Sequence, residues 1–409
     1  MNIKIVVGAN YGDEGKGLAT DYFTQNAKGP VLNVLYNGGP QRGHTVEHKN
    51  GLRHIFHHYG SGFFSGAWTY FDKCFLIDPI KFNIEHCNLL DETKYFTDWS
   101  IVDIIDKTIC YAHPVCRVIT PWDIIAGQVI SKGHSSCGAG IWQTIVRNSS
   151  LAHSPRSIGN LYDISEEARR RCFISIRDWW KDYYDLTPEI LGEYANIYYS
   201  DGLLEHYLKD FNTMCRSKIV IATLNELLTE KAYDTIIFEG GQGLELSGNT
   251  HGYFEGINCF LDGLTPSDTS SYHPIKWLKE NPKIIDISKD PIEIAYVTRT
   301  YFTRHGYGPL PNECSKEDLG INYMDITNQT NQFQGELRYA PFNDTDFKKR
   351  VFEDYCNASN ILKTNDILKS IFLTHVQDSF NPNTFPIENF NKIYISKSPY
   401  SEDVKSDCE

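Results

Sequence analysis

A glycine-rich hexapeptide, Gly12-Asp13-Glu14-Gly15-Lys16-Gly17, follows an apolar run from Ile3 to Val7. A strand opening into such a turn exposes backbone N–H groups that can cradle phosphate oxygens, and Lys16 adds a fixed positive charge. The segment is not a Walker A loop. Asn10 stands where that motif has its first Gly, and Gly17 stands where it has the magnesium-binding hydroxyl. Two carboxylates, Asp13 and Glu14, sit inside the loop instead. A carboxylate beside bound phosphates is costly unless a metal or a proton transfer uses it. The loop therefore points to phosphate chemistry with its own base. The plain alternative is a strand-to-helix turn with an incidental Lys.

Two further loops have the same character. Asn37-Gly38-Gly39-Pro40-Gln41-Arg42-Gly43-His44-Thr45 is a donor-rich turn ending in one His. Phe238-Glu239-Gly240-Gly241-Gln242-Gly243 can bring a carboxamide to a developing oxyanion. Taken singly, His44 reads as a hydrogen-bonded structural residue and Glu239 as a turn cap.

These loops need a scaffold that gathers them. Strand-like runs alternate with helix-like ones: Ile3–Val7, Val31–Tyr36, Cys74–Ile77, Arg117–Thr120, Ile219–Ala222, Thr235–Phe238, Ile294–Val297 and Ile371–Leu373. The alternation predicts an α/β fold with a central, mainly parallel sheet flanked by helices and a P-loop-like phosphate loop. Its ligand edge would carry Gly8–Gly17, Asn37–Thr45, Glu239–Gly243 and Phe302–Pro311. Ser165 to Leu208 reads as helical, packed on the sheet flank. With no Pro- or Ser-rich linker, residues 1–409 are expected to form one domain with a helical insertion around 160–210.

Composition narrows the partners. The net charge of -13 argues against nucleic acid and anionic membranes, so local cations must hold an anionic substrate. No run of about 18 apolar residues predicts a membrane span. The first strand starts without a basic segment and a long apolar stretch, so no secretory signal is expected. Eleven scattered Cys without a C-x-x-C pair fit a reducing cytoplasm better than a disulfide framework or a zinc site.

Together the three loops resemble adenylosuccinate synthetase. The resemblance continues in Thr303-Arg304-His305-Gly306-Tyr307-Gly308-Pro309-Leu310-Pro311, and in Tyr394-Ile395-Ser396-Lys397-Ser398-Pro399, which is similar to the family's nucleotide-base segment. It runs nearly end to end. It implies a homodimeric ligase that joins L-aspartate to C6 of a 6-oxopurine nucleoside monophosphate, with ATP or GTP and Mg2+. The poor leaving group O6 is first phosphorylated, and the aspartate amine then displaces phosphate. Asp13 is implied as the base for N1–H and as a magnesium ligand, with the Gly43 carbonyl as a second ligand. His44 is implied to hydrogen-bond the moving phosphoryl group and Gln242 to steady O6. Lys16 with the amides of Gly12, Gly15 and Gly17 is implied to hold the triphosphate. Nucleotide or phosphate contacts are implied at Thr45, Ser136, Thr265, Thr374, Gln377 and Ser396. Arg147 matches by spacing the Arg that the family lends across its dimer interface; an ordinary surface helix Arg is the alternative.

The departures are specific. The usual Asn-Ala-Gly-His-Thr reads Gln41-Arg42-Gly43-His44-Thr45. The Arg-rich loop for aspartate and ribose reads Gln334-Gly335-Glu336-Leu337-Arg338-Tyr339, with Arg338 the remaining cation. The guanine-reading Thr-Lys-Leu-Asp reads Thr374-His375-Val376-Gln377, or reaches its Asp only by a one-residue slip to Asp378. With Ser136-Cys137-Gly138-Ala139-Gly140-Ile141-Trp142 after Thr120-Pro121-Trp122-Asp123, these look like the phage-type branch, which aminates dGMP on the way to 2-aminoadenine DNA. That branch carries Ser where Asp13 stands here. A non-catalytic nucleotide switch or a degenerate sensor is the alternative class, and retention of Asp13, His44 and Gln242 together argues against it.

One expectation concerns the sugar. A site that hydrogen-bonds a hydroxyl rejects analogues lacking it, and a site without that donor cannot. With the Arg cluster reduced to Arg338, deoxynucleotides should be used at least as well as ribonucleotides. Comparing kcat/KM for IMP with dIMP and for GMP with dGMP checks this; a large ribonucleotide preference would contradict it.

Overall fold

The computed structural model describes residues 1–93, 109–130, 137–150, 157–248, 264–322, 327–328, 335–378 and 385–407. Its centre is a ten-stranded sheet. Across the sheet the strands run Lys405–Ser406, Lys392–Ile395, Ile367–Thr374, Ile292–Arg299, Asn2–Gly8, Thr235–Gly243, Val31–Leu35, Trp68–Phe71, Cys110–Ala112 and Ile219–Ile221. Every neighbouring pair is parallel except the edge pair Lys392–Ile395 with Lys405–Ser406. Parallel strands all end at one edge, so the loops after them converge there.

Asn2–Gly8 is a near-continuous apolar run because both its faces are covered. Alternate side chains enter opposite cores. Ile3, Ile5 and Val7 join Val34, Phe238, Ile275, Ile294 and Ile371. Val6 joins Leu18, Tyr22, Phe23, Ile237, Val297 and Phe372, from the helix Lys16–Gln25 and its neighbours. A third core holds Leu35 and Phe71 at the sheet end together with Phe173, Trp180, Tyr207 and Phe211 from the helices Glu166–Tyr184 and Asp201–Ser217. The expected helical stretch on the sheet flank is therefore present.

Two expected strands are placed differently. Within Cys74–Ile77 and Arg117–Thr120, only Leu76–Ile77 and Arg117–Val118 are extended, and they pair with each other in a separate two-stranded sheet. The main-sheet positions go to Trp68–Phe71 and Cys110–Ala112. Their aromatic and small residues lack the aliphatic run that marks a buried strand. Glu239–Gly243, expected as a loop, continues its strand through a bulge: Val6 faces Glu239, yet Gly8 faces Gly243.

One polar network crosses this apolar sheet. Lys4 and Glu293 are register partners, and Glu293 accepts from Lys4 Nζ at 2.5 Å, Ser370 Oγ at 2.6 Å and Tyr394 OH at 2.9 Å. Burial pushes the Glu293 carboxyl up, but Lys4, Ser370 and Tyr394 outweigh it and hold it below the ordinary range. A depressed carboxyl stabilises the fold above its unfolded pKa, and loses that contribution as pH falls through the folded value. Lys4→Met should cost about 3 kcal/mol, since it leaves a buried carboxylate without its cation. The deficit should shrink as pH falls through the Glu293 range, because the wild-type protein loses that contribution there. Urea denaturation from pH 7 down to the acid transition measures both; a deficit that stays constant with pH would remove Glu293 from the account.

Candidate active site

The phosphate loop is shaped by backbone conformations that L-residues rarely adopt. Gly12, Asp13 and Gly15 have φ of 97°, 56° and 94°. At Gly15 a Cβ would also lie 2.9 Å from Thr374 Cγ2, so Gly is required twice over. Lys16 opens the helix Lys16–Gln25, whose N-terminal N–H groups face the loop. Glu14 turns inward: Oε1 accepts from Asn10 N–H at 2.5 Å, and Oε2 lies 3.5 Å from Lys16 Nζ. Burial pushes Glu14 above the usual carboxylate range, against the pull of Lys16. Asp13 is the half-buried, more accessible carboxylate of the pair, with its backbone carbonyl held by Arg299 Nε at 2.5 Å. Its Oδ2 lies 4.0 Å from His305 Nδ1. Thr374 Oγ1 donates to the Glu14 carbonyl at 2.8 Å, which brings this predicted contact against the loop.

Gly17 explains the missing Walker hydroxyl. The strand His44–Glu47, paired with Arg53–Phe56, runs directly over the helix start. A Cβ on Gly17 would lie 2.8 Å from the Thr45 carbonyl oxygen and 3.1 Å from His44 Cβ. This close approach brings His44 beside the phosphate loop.

His44 is held by a carboxylate that local sequence does not reveal. Its Nδ1–H donates to Glu239 Oε1 at 2.6 Å, while Nε2 is buried with no partner among the described residues. Glu239 also accepts from Arg42 Nη2 at 3.0 Å, from Ser61 N–H at 3.1 Å and from the Ser61 hydroxyl. Burial alone would push Glu239 up; Arg42, then His44 and Ser61, hold it at about 2. Burial and the Arg42 guanidinium push His44 down to about 3, against the pull of Glu239. The imidazole is therefore neutral, with Nε2 a lone pair that donates only after taking a proton. His57 fixes the same turn, its Nδ1–H reaching the carbonyls of Arg42 and Pro40. Asn37 links that turn to the bulge, accepting from Gly241 N–H at 2.7 Å and donating to the Asp268 carbonyl at 2.6 Å. Gln242 lies in the bulge, and its Oε1 is buried with no partner among the described residues.

Asp13, Lys16, His44, Gly43, Thr45, Gln242 and Thr374 thus gather at one sheet edge. Thr265 joins them through backbone bonds to Leu246 and Gly248, just past Gln242. Ser396 ends the neighbouring strand Lys392–Ile395, buried, its hydroxyl donating to the Ser398 carbonyl at 2.6 Å. Gln377 lies exposed in the turn after Thr374. Asp378 is engaged instead, accepting from His375 Nδ1 at 3.0 Å and Tyr301 OH at 3.2 Å. Ser136 lies outside the described residues.

Two predicted anion contacts have internal partners in this structure. Arg338 spends its guanidinium internally, on Glu313 and on the carbonyls of Gly306 and Gly308 at 2.9 Å each. It clamps the Gly306–Gly308 turn. Arg147 is fully buried, bonded to both Asp123 oxygens at 2.8 and 2.9 Å and to the Val118 carbonyl. It is therefore not a surface Arg.

The donors at the edge suit a hard divalent cation. Asp13 offers a carboxylate and Gly43 an exposed carbonyl, both oxygen ligands. Among the described residues there is no cluster of three His, Cys, Asp or Glu side chains. Two protein oxygens completed by phosphates is the pattern Mg2+ takes, rather than an all-protein cage.

A mainly parallel sheet that brings an anion cradle, an imidazole–carboxylate pair and a bulged carboxamide to one edge defines an α/β nucleotide-handling protein. The chain belongs to the adenylosuccinate synthetase family, whose family model matches residues 5–344. It is 28% identical over 314 residues to the adenylosuccinate synthetase of Helicobacter pylori, a match covering 76% of this chain and 66% of that one. With the Limosilactobacillus fermentum enzyme it shares 26% over 346 residues, 80% and 70% of the two chains. The matches therefore span about two thirds of these relatives' length. Among solved structures, the fold resembles succinoaminodeoxyadenylate synthetase of cyanophage S-2L bound to dGMP and dATP, with TM-score 0.59, 15% identity and 99% and 95% coverage. It also resembles fully ligated adenylosuccinate synthetase from Plasmodium falciparum, with TM-score 0.60, 16% identity and 99% and 87% coverage. No helix among the described residues is long and apolar enough to cross a membrane.

Gly17→Ser restores the Walker hydroxyl in name and should lower activity. Its Cβ must displace the His44–Thr45 strand, at a cost of about 1–3 kcal/mol, so kcat/KM should fall at least roughly fivefold. Steady-state kinetics on folded protein decides; equal or greater activity would show that the close approach is not required.

Proposed function

We propose that the chain is a carbon–nitrogen ligase that joins L-aspartate to C6 of a purine nucleoside monophosphate through a 6-phosphoryl intermediate, driven by a nucleoside triphosphate. The observation that carries this reading is the meeting of the phosphate loop, His44 and the Gln242 bulge at one edge, with His44 Nε2 buried and unpartnered among the described residues. Each then has a task. Asp13 takes the N1 proton and leaves negative charge on O6. Gln242 steadies that oxygen as it becomes the nucleophile. Lys16 and the loop N–H groups hold the triphosphate. His44 Nε2 takes up a proton as the phosphoryl charge approaches and then donates to the moving group. The aspartate amine attacks C6, and the phosphate on O6 leaves. Asp13 and the Gly43 carbonyl would hold Mg2+, which when bound offsets the triphosphate charge. A homodimer follows the family, with no residue assigned across its interface.

A narrower reading is synthesis of N6-succino-2-amino-2′-deoxyadenylate from dGMP with ATP. Arg338 is spent on its own turn, so no Arg from that segment remains to demand a ribose hydroxyl. Asp378 is engaged by His375 and Tyr301, while Gln377 is exposed and neutral. A carboxamide can accept from adenine N6–H and donate to N1, whereas guanine loses its charged partner. That loss is about 1.5–3 kcal/mol, more than tenfold against GTP.

Aspartate-dependent phosphate release over IMP, GMP, dIMP and dGMP, each with ATP and with GTP, tests both readings. Release with aspartate is expected, with ATP preferred. Nucleotide binding without release would make the protein a switch or sensor, and a GTP preference would place Asp378 rather than Gln377 at the base.

A further inference from the structure

Asn10, where a Walker loop has Gly, is held from both sides. Its Nδ2 donates to Thr298 Oγ1 at 2.8 Å, and its Oδ1 accepts from Arg350 Nη2 at 2.6 Å. Arg350 projects from the helix Asp344–Leu362, beyond the stretch matched by the family model. Its Nε donates to the Ala9 carbonyl at 3.1 Å, and its Nη1 lies 3.1 Å from Glu245 Oε1. The guanidinium also lies over the rings of Phe302 and Tyr11, 5.3 and 5.9 Å from their centroids. Glu245 lies three positions after Gln242 and donates its own N–H to the Asn10 carbonyl at 2.9 Å. One planar cation therefore joins the entry of the phosphate loop to the segment that carries Gln242, a three-way geometry that Lys cannot copy.

We propose that Arg350 is a positioning residue for phosphoryl transfer: it holds the phosphate loop in register with the Gln242 segment through Asn10 and Glu245. The assignment of a transfer step rests on the proposed ligase function; the effect on triphosphate binding does not. Arg350 touches neither Asp13, His44 nor Gln242, so its removal acts through the loop. Losing charged hydrogen bonds to the loop should weaken triphosphate binding about tenfold and lower kcat to a similar degree. The monophosphate KM should stay within about twofold, because the Asn37–His44 turn keeps its own supports.

The test uses the full chain with Arg350→Met, Arg350→Lys and Glu245→Gln. Calorimetric titration with Mg·ATP gives Kd, and steady-state kinetics gives KM for each substrate. Arg350→Met should raise the ATP Kd and the ATP KM about tenfold, with Arg350→Lys recovering little. Glu245→Gln, which leaves both loop bonds in place, should shift them less than about threefold. Should Arg350→Met fail to fold, Asn10→Ala removes the Nη2 contact alone from Arg350 and should reproduce the rise. If both single variants fold, the double variant should be no worse than the poorer one. A fall in apparent kcat with Kd and both KM values unchanged would mean only less folded protein, and would overturn the proposal. So would full recovery by Lys, or additive losses in the double variant. An unsubstituted protein that binds ATP yet releases no phosphate with aspartate would sink the ligase reading, while the Kd comparison still decides the role of Arg350.

Discussion

The reactive edge depends on one buried carboxylate. Glu239 has no solvent contact, and a lone anion there would be prohibitively costly. Arg42, His44 and Ser61 satisfy it, and each belongs to a different part of the hairpin region. Because the carboxylate is fixed in a sheet strand, the groups bonded to it are fixed as well. His44 thereby inherits the rigidity of the sheet though it starts a short hairpin. Breaking any one bond would leave charge or a donor stranded in apolar surroundings, so the cluster holds or fails as a unit.

The phosphate loop solves a second problem, how to keep two carboxylates beside a site for anions. Glu14 is turned inward and spent on the loop's own N–H and on Lys16. Asp13, in a left-handed conformation directly after Gly12, is turned out. Adjacent residues of like chemistry thus take opposite roles, one structural and one available to substrate. The bulge at Gly240–Gln242 also departs from regularity: strand register shifts there, so Val6 faces Glu239 while Gly8 faces Gly243, and Gln242 falls outside the regular ladder.

Much of this was legible in the sequence where local pattern carries the signal. Ile3–Val7 with its glycine-rich successor is both strand and loop, and the helical stretch after Ser165 is amphipathic enough to read directly. What was not legible is how long-range partners spend a side chain. Glu239 reads as a turn cap until His44, 195 positions away, is seen on it. Arg338 and Arg147 read as anion binders by their places in the family resemblance. In the fold, Glu313 and Asp123 consume them. Trp68–Phe71 and Cys110–Ala112 escaped because a short aromatic or small-residue stretch has no period of its own. Arg350 had no motif around it at all; only its contacts distinguish it from the basic residues beside it.

The central position of Asn2–Gly8 has a consequence for biosynthesis. This strand pairs Ile3 with Ile236 on one side and Ile292 on the other, both made more than two hundred residues after it. At about 5–20 residues per second, roughly ten to sixty seconds pass before either neighbour is made. During that interval a strongly apolar strand with two open edges is attached to an unfinished chain, the situation in which mispairing and aggregation arise. The phosphate loop at its end is completed later still, when Thr374 arrives to close on Glu14. A segment made well before its partners is thus among the last to become native. The yield of folded protein will follow the availability of chaperones that shield exposed strands more closely than the stability of the finished fold.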